Sequence, residues 1–275
     1  MTERPEMLAN VRAERVRQVA ALSGRSARLR HGQFLVEGPG AVRELVSHAP
    51  HLLRDLYVAP AHDDDPAVLS ARAAGLYVHR TTREVLDAMS GDAQGILAVA
   101  RIPDPASLDV LDDARLAVLL PHASDPGNLG TMIRIADAAG ADAVVVCAGS
   151  AEVTSPKVVR STTGSLFHLP IVVGVALADA VDAARARGLA VIAADGGGTR
   201  DVLDAGPWLA APTAWVFGNE AHGLSQRELD ACDLAAFIPL YGRAESLNVA
   251  AAAAVCLYAS AAAQNLAARP VRTST

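Results

Sequence analysis

Three polar stretches in the second half of the chain carry the side chains best suited to chemistry. They are residues 124–134, 216–225 and 245–248. The first two follow apolar runs, at residues 116–120 and 214–217, and lead toward predicted helices. In open α/β sheets, ligands bind beyond the carboxyl ends of the strands. We therefore expect the three stretches to form one ligand site.

The third stretch precedes an alanine-rich segment, residues 250–263, which predicts a helix. Ser246 is predicted to be the N-cap, because its hydroxyl can accept a hydrogen bond from an amide of the first turn. The free amides and the dipole of that turn favour an electron-rich group nearby. This loop is therefore predicted to bind a ligand.

The three stretches also contain recognisable motifs. Asn128 begins an N-x-G-x-x-x-R motif, Phe217 begins F-G-N-E-x-x-G-L, and the Ile-Pro pair at Ile238 is followed by Ser-Leu-Asn ending at Asn248. In this order they resemble the motifs of the SpoU branch of the SPOUT RNA methyltransferases. The resemblance covers roughly residues 116–264. It extends more weakly to the N-terminal residues, which resemble the small RNA-binding domain of these enzymes.

The resemblance implies an α/β fold in two domains. The C-terminal one would be a SPOUT domain with a parallel sheet and a deep trefoil knot, and the N-terminal one a small L30e-like α/β substrate-binding domain. Residues 101–107 contain two prolines among polar neighbours and predict a linker. We therefore predict domains at residues 1–104 and 108–275. Continuous apolar runs such as residues 116–120 are typical of parallel strands covered on both faces.

The resemblance further implies transfer of a methyl group from S-adenosyl-L-methionine to a ribose 2′-hydroxyl of RNA, by a homodimer. It assigns catalytic roles to Asn128, Arg134, Glu220, Ser246 and Asn248. It assigns cofactor binding to Gly218, Asn219, Ile238, Leu240, Ser246 and Leu247, with core packing as the alternative for Ile238 and Leu247. A guanidinium is hard to deprotonate, so Arg134 is expected to hold the target phosphate rather than act as the base.

Basic residues cluster near the N-terminus, where residues 11–31 contain six arginines and one acid, Glu14. Because the net charge of the chain is −6, RNA must be bound by local patches. The predicted RNA contacts are Arg12, Arg25, Arg28, Arg30, Lys157 and Arg160. For the N-terminal arginines, the alternative to RNA contact is a solvated helix face. For residues 155–165, the alternative is a capped helix start.

The two-domain plan favours ribosomal RNA (23S) as substrate, as in the thiostrepton-resistance-like members of the family. A transfer-RNA methyltransferase and a non-catalytic RNA-binding or ribosome-assembly protein are the alternatives. Residues 195–199 lack a G-x-G-x-x-G spacing and are predicted to form a turn beside the cofactor pocket.

Three further expectations concern the surroundings of the protein. Cys147, Cys232 and Cys256 show no pairing pattern and are predicted to be buried in a reducing compartment. No apolar run is long enough to span a membrane, so we expect a cytoplasmic protein without a membrane partner. His48 and His51 have no evident ligand partner, so no metal site is predicted.

Overall fold

The computed structural model describes residues 7–204, 206–219 and 222–268, with side chains described as far as Asn265. Up to Arg101 the elements are α1 (Glu14–Ala21), α2 (Arg25–His31), β1 (Gln33–Glu37), α3 (Pro39–His48), β2 (Leu53–Val58), α4 (Pro66–Ala73), β3 (Val78–Arg80), α5 (Arg83–Met89) and β4 (Ile96–Arg101). They are followed by β5 (Leu116–Leu120), α6 (Pro126–Ala138), β6 (Ala143–Val146), α7 (Pro156–Thr162), β7 (Ile171–Val173), α8 (Leu177–Ala186), β8 (Ala190–Ala194), β9 (Arg200–Asp201), β10 (Thr213–Phe217), α9 (Gln226–Asp230), β11 (Leu234–Phe237) and α10 (Val249–Ala268).

The chain forms two compact units. The first consists of the residues up to Asp104 together with Glu152–His168, and the second of Pro105–Ala151 together with the residues from Leu169 onward. The boundary between the two units after Asp104 lies within the predicted linker. The segment Glu152–His168, however, packs with the first unit although the sequence analysis placed it in the second domain.

The first unit is built on a mixed sheet with strand order β1-β4-β2-β3. β4 pairs antiparallel with β1 and with β2, and β2 pairs parallel with β3. One face of the sheet and helices α3 and α4 enclose a core that includes the buried Val159 of α7. Leu166 and Phe167 pack against the same core. The burial of these apolar side chains explains why the segment Glu152–His168 belongs to this unit.

A buried ion pair also holds that segment. The Arg28 side chain donates from Nε and Nη2 to the two carboxylate oxygens of Glu152, at 2.7 and 2.8 Å, and from Nη1 to the carbonyls of Leu22 and Ser23. Only 3% of Arg28 is exposed. The prediction that Arg28 contacts RNA is therefore wrong for this structure, because its hydrogen-bonding groups are used inside the first unit.

The second unit is built on a seven-stranded sheet in the order β7-β6-β5-β10-β8-β11-β9, with every pairing parallel. β5 and β10 are buried at every position, as expected for central parallel strands. Successive side chains of a strand point to opposite faces. Ala214 and Val216 share a core with α8, whereas Trp215 faces α10. Helices therefore cover both faces of the sheet. The knot that the family resemblance implies stays a prediction.

Polar contacts fix α10 on this sheet. The buried Trp215 indole donates from Nε1 to Oγ of Ser260 at 2.9 Å. Near the end of the helix, the Gln264 side-chain amide donates to the carbonyls of Arg115 and Ala211 at 3.0 and 2.9 Å. Both carbonyls lie just before strands of the sheet. The helix is thus tied to the sheet in its middle and near its end.

The predicted alanine-rich helix is present as α10 and begins at Val249, three residues after its predicted cap Ser246. Residues 155–165 contain the start of a helix, α7, but its N-cap residue Ser155 makes no side-chain capping hydrogen bond. Within the described residues no helix is long and apolar enough to cross a membrane.

The three cysteines are free, as predicted. Cys147 and Cys256 are buried, and Cys232 is partly exposed. Burial raises the pKa of Cys147 and Cys256 to about 12 and that of Cys232 to about 11. Burial therefore favours the protonated form of these thiols.

Replacing Glu152 with alanine should destabilise the first unit. The substitution leaves the Arg28 guanidinium buried without its counter-ion, so we expect the free energy of unfolding to fall by roughly 3 kcal/mol. Glu14→Ala is the matched control, because it removes a pair with Arg17 that is mostly exposed and contributes less than about 1 kcal/mol. The change in the free energy of unfolding is measured by urea titration, with hydrogen exchange of the β1 amides as the signal for the first unit. Equal effects of the two substitutions would contradict the assigned role.

The same ion pair makes stability depend on pH. The hydrogen bonds from Arg28 outweigh desolvation and hold the pKa of Glu152 below its ordinary value of 4.5. A carboxylate with a depressed pKa stabilises the fold above its unfolded pKa, and this contribution is lost as the pH falls through the folded pKa. The stability difference between wild type and Glu152→Ala should therefore be full at neutral pH and shrink below about pH 4.5.

Candidate functional site

A cavity of about 340 Å³ opens at the carboxyl edge of the parallel sheet in the second unit. The ends of β8, β10 and β11 and the start of α10 form its walls. Its lining residues are Ala194, Asp195, Gly196, Phe217, Gly218, Asn219, Gly223, Ala236, Ile238, Leu240, Glu245, Ser246, Leu247, Val249 and Ala252. This is the position at which parallel α/β sheets bind ligands.

The cavity brings together all six residues predicted to bind the cofactor. They are Gly218, Asn219, Ile238, Leu240, Ser246 and Leu247. Leu240 and Leu247 are 41% and 40% exposed, so neither is simply part of the core. Asp195 and Gly196 also line the cavity, which agrees with a turn beside the pocket. The contacts of these residues with a ligand stay predictions.

The glycine at position 218 is required by a close approach of two backbone segments. A Cβ atom added to Gly218 would lie 2.4 Å from the carbonyl carbon of Gly223. Next to it, Asn219 and Gly223 exchange backbone hydrogen bonds of 3.1 and 2.8 Å. Gly223 has a positive φ of 64°. The chain therefore leaves β10 and folds back on itself at once, which shapes one wall of the cavity.

Asn219 links this loop to the first polar stretch. Its side-chain Nδ2 donates to the carbonyl of His122 at 3.1 Å and to Oγ of Ser124 at 3.0 Å. Both acceptors lie between β5 and α6. An amide is suited to this contact because it presents two N–H donors on one nitrogen. Asn219 therefore has a positioning role within the protein in addition to its place in the cavity wall.

Asn128 and Asn248 connect the first and third stretches, which are 120 positions apart. The Asn248 Nδ2 donates to the Asn128 Oδ1 at 3.2 Å. The Oδ1 of Asn248 accepts from the backbone N–H groups of Ala250 and Ala251, at 2.9 and 3.3 Å. The N-cap of α10 is therefore Asn248. The prediction of Ser246 as the cap was wrong, because the helix starts two residues later than the sequence pattern indicated.

The predicted catalytic arginine lies on α6. The helix is capped by Asp125, whose Oδ1 accepts from the Asn128 N–H at 2.8 Å. Arg134 is exposed, in the same helix as Asn128, and is not among the residues lining the cavity. Glu220 lies outside the described residues. The first and third stretches thus meet at Asn128 and Asn248, and Arg134 lies further along the helix that contains Asn128.

Sequence reasoning missed a second polar link in this region. The Nε2 atom of His122 lies 2.9 Å from a carboxylate oxygen of Glu228. Glu228 also accepts hydrogen bonds from the backbone N–H and the hydroxyl of Ser225. Partial burial opposes ionisation, but the bonds from Ser225 and the nearby His122 outweigh it and hold the pKa of Glu228 below its usual value. The Ser225–Glu228 spacing is typical of a capping box and could have predicted the bonds between these two residues, but no local pattern indicates the contact with His122.

The basic residues predicted to contact RNA differ in their surroundings. Arg12, Arg25, Arg30 and Lys157 are exposed. Arg160 pairs with Glu37, which is buried, and lies 3.0 Å from Asp92. Arg160 is also exposed, but it stabilises the first unit through these pairs, and Arg25 lies 3.5 Å from the Glu152 carboxylate.

This arrangement is suited to a ligand that is partly apolar and partly cationic. Ile238, Leu240 and Leu247 offer apolar surface, and the Asp195 and Glu245 carboxylates can balance positive charge at the wall of the cavity. Its volume lies within the usual range for small-molecule sites, about 300–1,000 Å³. Asn128 and Arg134 add an amide and a guanidinium that can hold an anionic second substrate.

Fold and site together define a parallel α/β domain with a ligand cavity at the carboxyl edge of its sheet. The SpoU rRNA Methylase family matches residues 115–258, just over half of the chain. The chain belongs to this family.

Relatives and solved structures agree with this membership. The chain is 34% identical over 259 residues to the 23S rRNA (guanosine(2553)-2′-O)-methyltransferase RlmP of Bacillus subtilis, covering 92% of this chain and 98% of that protein. It is 37% identical to a 23S rRNA (uridine(2479)-2′-O)-methyltransferase of Streptomyces viridochromogenes, over 87% of this chain and 86% of that one. The crystal structure of the SpoU methyltransferase AviRb from Streptomyces viridochromogenes with AdoMet aligns with a TM-score of 0.81 and 31% identity, covering 93% of this chain and all of that one.

Asn248→Ala should destabilise the second unit, whereas Ser246→Ala should not. Loss of the cap leaves two first-turn N–H groups without their partner, at a cost of about 1 kcal/mol. Ser246 is exposed and caps nothing, so its removal should change the free energy of unfolding by less than about 0.5 kcal/mol. Urea unfolding followed by tryptophan fluorescence reports on this unit, because Trp215 contacts α10. A larger loss of stability in Ser246→Ala than in Asn248→Ala would indicate that Ser246, and not Asn248, caps the helix.

Proposed function

We propose that this protein is an S-adenosyl-L-methionine-dependent RNA ribose 2′-O-methyltransferase that acts on 23S ribosomal RNA. The observation that carries the proposal is the cavity at the sheet edge, where residues from the second and third motifs line one space and Asn248 joins the first motif at Asn128. Family membership supports the same enzyme class.

Ribosomal RNA is preferred to transfer RNA because of the relatives that match along nearly the whole chain. RlmP and the Streptomyces viridochromogenes enzyme are both 23S rRNA 2′-O-methyltransferases. Their similarity extends beyond the residues of the family match into the first unit. The first unit, with its exposed Arg12, Arg25 and Arg30, is accordingly proposed to contact the RNA.

The cofactor is proposed to occupy the cavity. Ile238, Leu240 and Leu247 would contact its apolar part, and the backbone of Gly218 and Asn219 would be within reach of its polar groups. Asp195 and Glu245 suit a cofactor that carries positive charge. When bound, S-adenosyl-L-methionine supplies a methyl group already activated on a sulfonium. The residues of the protein then have to bind, orient and exclude water, and such positioning can supply much of the rate.

Arg134 is proposed to hold the phosphate beside the target ribose. A guanidinium presents a planar fork of donors that matches phosphate oxygens, and it stays charged at neutral pH. Gripping the phosphate would fix the 2′-hydroxyl and stabilise the negative charge that develops on it. Asn128 and Asn248 would orient the loops around it, since each already binds the other. Glu220 and Ser246 are retained as candidate catalytic residues of the same loops.

Two further proposals follow from family membership. The protein would act as a homodimer, supported by the exposed Tyr241 at 88% and Tyr258 at 53%, which a partner could cover. It would work in the cytoplasm, which is supported by its similarity to bacterial enzymes named for their action on 23S rRNA. Sedimentation equilibrium tests the oligomeric state directly.

Gly218→Ala should lower cofactor affinity by about tenfold or more, equivalent to about 1.4 kcal/mol. The added methyl group collides with the Gly223 backbone, so the loop that forms the cavity wall has to move. Gly242→Ala is the control, because a Cβ there meets nothing within 4 Å and Gly242 does not line the cavity. Calorimetric titration with S-adenosyl-L-methionine compares the two. Unchanged affinity in Gly218→Ala would argue against this cavity as the cofactor site.

Arg134→Ala should leave cofactor affinity unchanged and reduce methyl transfer by about 10²–10³-fold, as expected for loss of a group that stabilises developing charge. Arg134→Lys should recover part of the rate, because a lysine offers one point charge in place of a fork. The assay measures labelled methyl transfer to separated 23S, 16S and transfer RNAs and tests whether the product resists alkali.

Each outcome of this assay has a distinct meaning. Alkali-resistant label on 23S RNA, lost in Arg134→Ala, supports the proposal in full. Label confined to transfer RNA would overturn the choice of substrate. Cofactor binding without transfer to any RNA or ribosomal particle would overturn the enzymatic proposal in favour of an RNA-binding protein.

A further inference from the structure

Three potential metal ligands meet in the first unit, outside the methyltransferase site. Glu44 and His48 lie one turn apart on α3, and His168 follows α7 at the end of the segment Glu152–His168. One carboxylate oxygen of Glu44 lies 3.4 Å from Nε2 of His48 and 3.1 Å from Nε2 of His168. The ligand atoms of all three residues lie within 4.8 Å of one another.

The surrounding chain holds these side chains in place. Thr163 and Gly164 both have positive φ values, 53° and 103°, and turn the chain after α7. A Cβ atom on Gly164 would lie 2.4 Å from Cγ of Glu44, so the glycine lets the backbone pack directly on the Glu44 side chain. Leu166 and Phe167 then pack on the core of the unit. The fold thus brings His168 to α3, where its ring lies 4.6 Å from that of His48.

We propose that Glu44, His48 and His168 form a binding site for a divalent transition-metal ion of the Zn²⁺ class. Zinc binds imidazole nitrogen at about 2.0–2.1 Å and carboxylate oxygen at about 2.0–2.2 Å, so ligands in a tetrahedral arrangement are roughly 3.3–3.5 Å apart. The two Glu44–histidine separations are close to this spacing. The nitrogens of the third pair lie within 4.8 Å of each other, and both imidazoles are partly exposed, which leaves them room to rotate toward a shared ion.

The ligand set selects among cations. Imidazole nitrogen suits Zn²⁺, Ni²⁺ and Cu²⁺, whereas Mg²⁺ and Ca²⁺ prefer oxygen ligands. Two histidines and one carboxylate leave a fourth position for water in a four-coordinate site. A bound ion would link residues 44 and 168, which are far apart in the sequence, and so stabilise the packing of the Glu152–His168 segment on α3.

The proposal does not depend on the methyl-transfer function, because none of its residues lines the cavity. It also revises the expectation that His48 has no ligand partner. Glu44, four positions earlier on the same helix, was visible in the sequence at the correct spacing. His168 was not.

Zinc binding to the untagged full-length protein tests the site. After treatment with chelator and dialysis, calorimetric titration with zinc chloride at pH 7.5 should show one ion per chain with this cluster as the main site. Glu44→Gln, His48→Asn and His168→Asn should each weaken binding at least tenfold. His51→Asn is the matched control, because His51 is an exposed histidine close to α3 and outside the cluster. Magnesium chloride should give no binding at this site.

A further measurement separates metal binding from a structural effect of the substitutions. Zinc should slow hydrogen exchange at residues 163–168 in the wild type and not in His168→Asn. Absence of zinc binding by the wild type would overturn the proposal. So would equal affinity of the wild type and the His48→Asn/His168→Asn double variant.

Discussion

The position of α10 on the sheet depends on a few polar side chains. Alanine side chains are short and alike, so a helix made largely of them packs closely but has few protrusions that define one register. The hydrogen bonds of Asn248 to Asn128, of Ser260 to Trp215 and of Gln264 to Arg115 supply that definition at the start, the middle and near the end of the helix. Since the first turns of α10 line the cavity, the geometry of the site depends on the same contacts.

Much of the second unit could be predicted from the sequence because its strands are buried on both faces. Residues 116–120 are a continuous apolar run typical of a parallel strand, and β5 has the same bounds, Leu116–Leu120. The start of α10 was harder to predict, since Ser246 and Asn248 are both good capping residues. Which of them caps the helix is decided by a tertiary contact with Asn128, and no local pattern contains that information.

The arginines illustrate a second limit of sequence reasoning. A count of charges treats Arg25, Arg28 and Arg30 alike, but only Arg28 lies on the buried face of α2. Its partner Glu152 is 124 positions away. Burial of a charge is tolerated only where such a partner is available, so the role of an arginine depends on long-range packing. The same applies to His168, whose partners on α3 are equally remote in sequence.

The segment Glu152–His168 has a consequence for how the protein is made. It completes the core and the buried ion pair of the first unit, yet the residues before and after it belong to the second. During synthesis the first unit therefore cannot reach its final packing when Asp104 leaves the ribosome, and must wait for residues up to His168. A gene fragment ending at the linker would encode a domain with an exposed apolar face and an unpaired Arg28, so the two units are not separable modules.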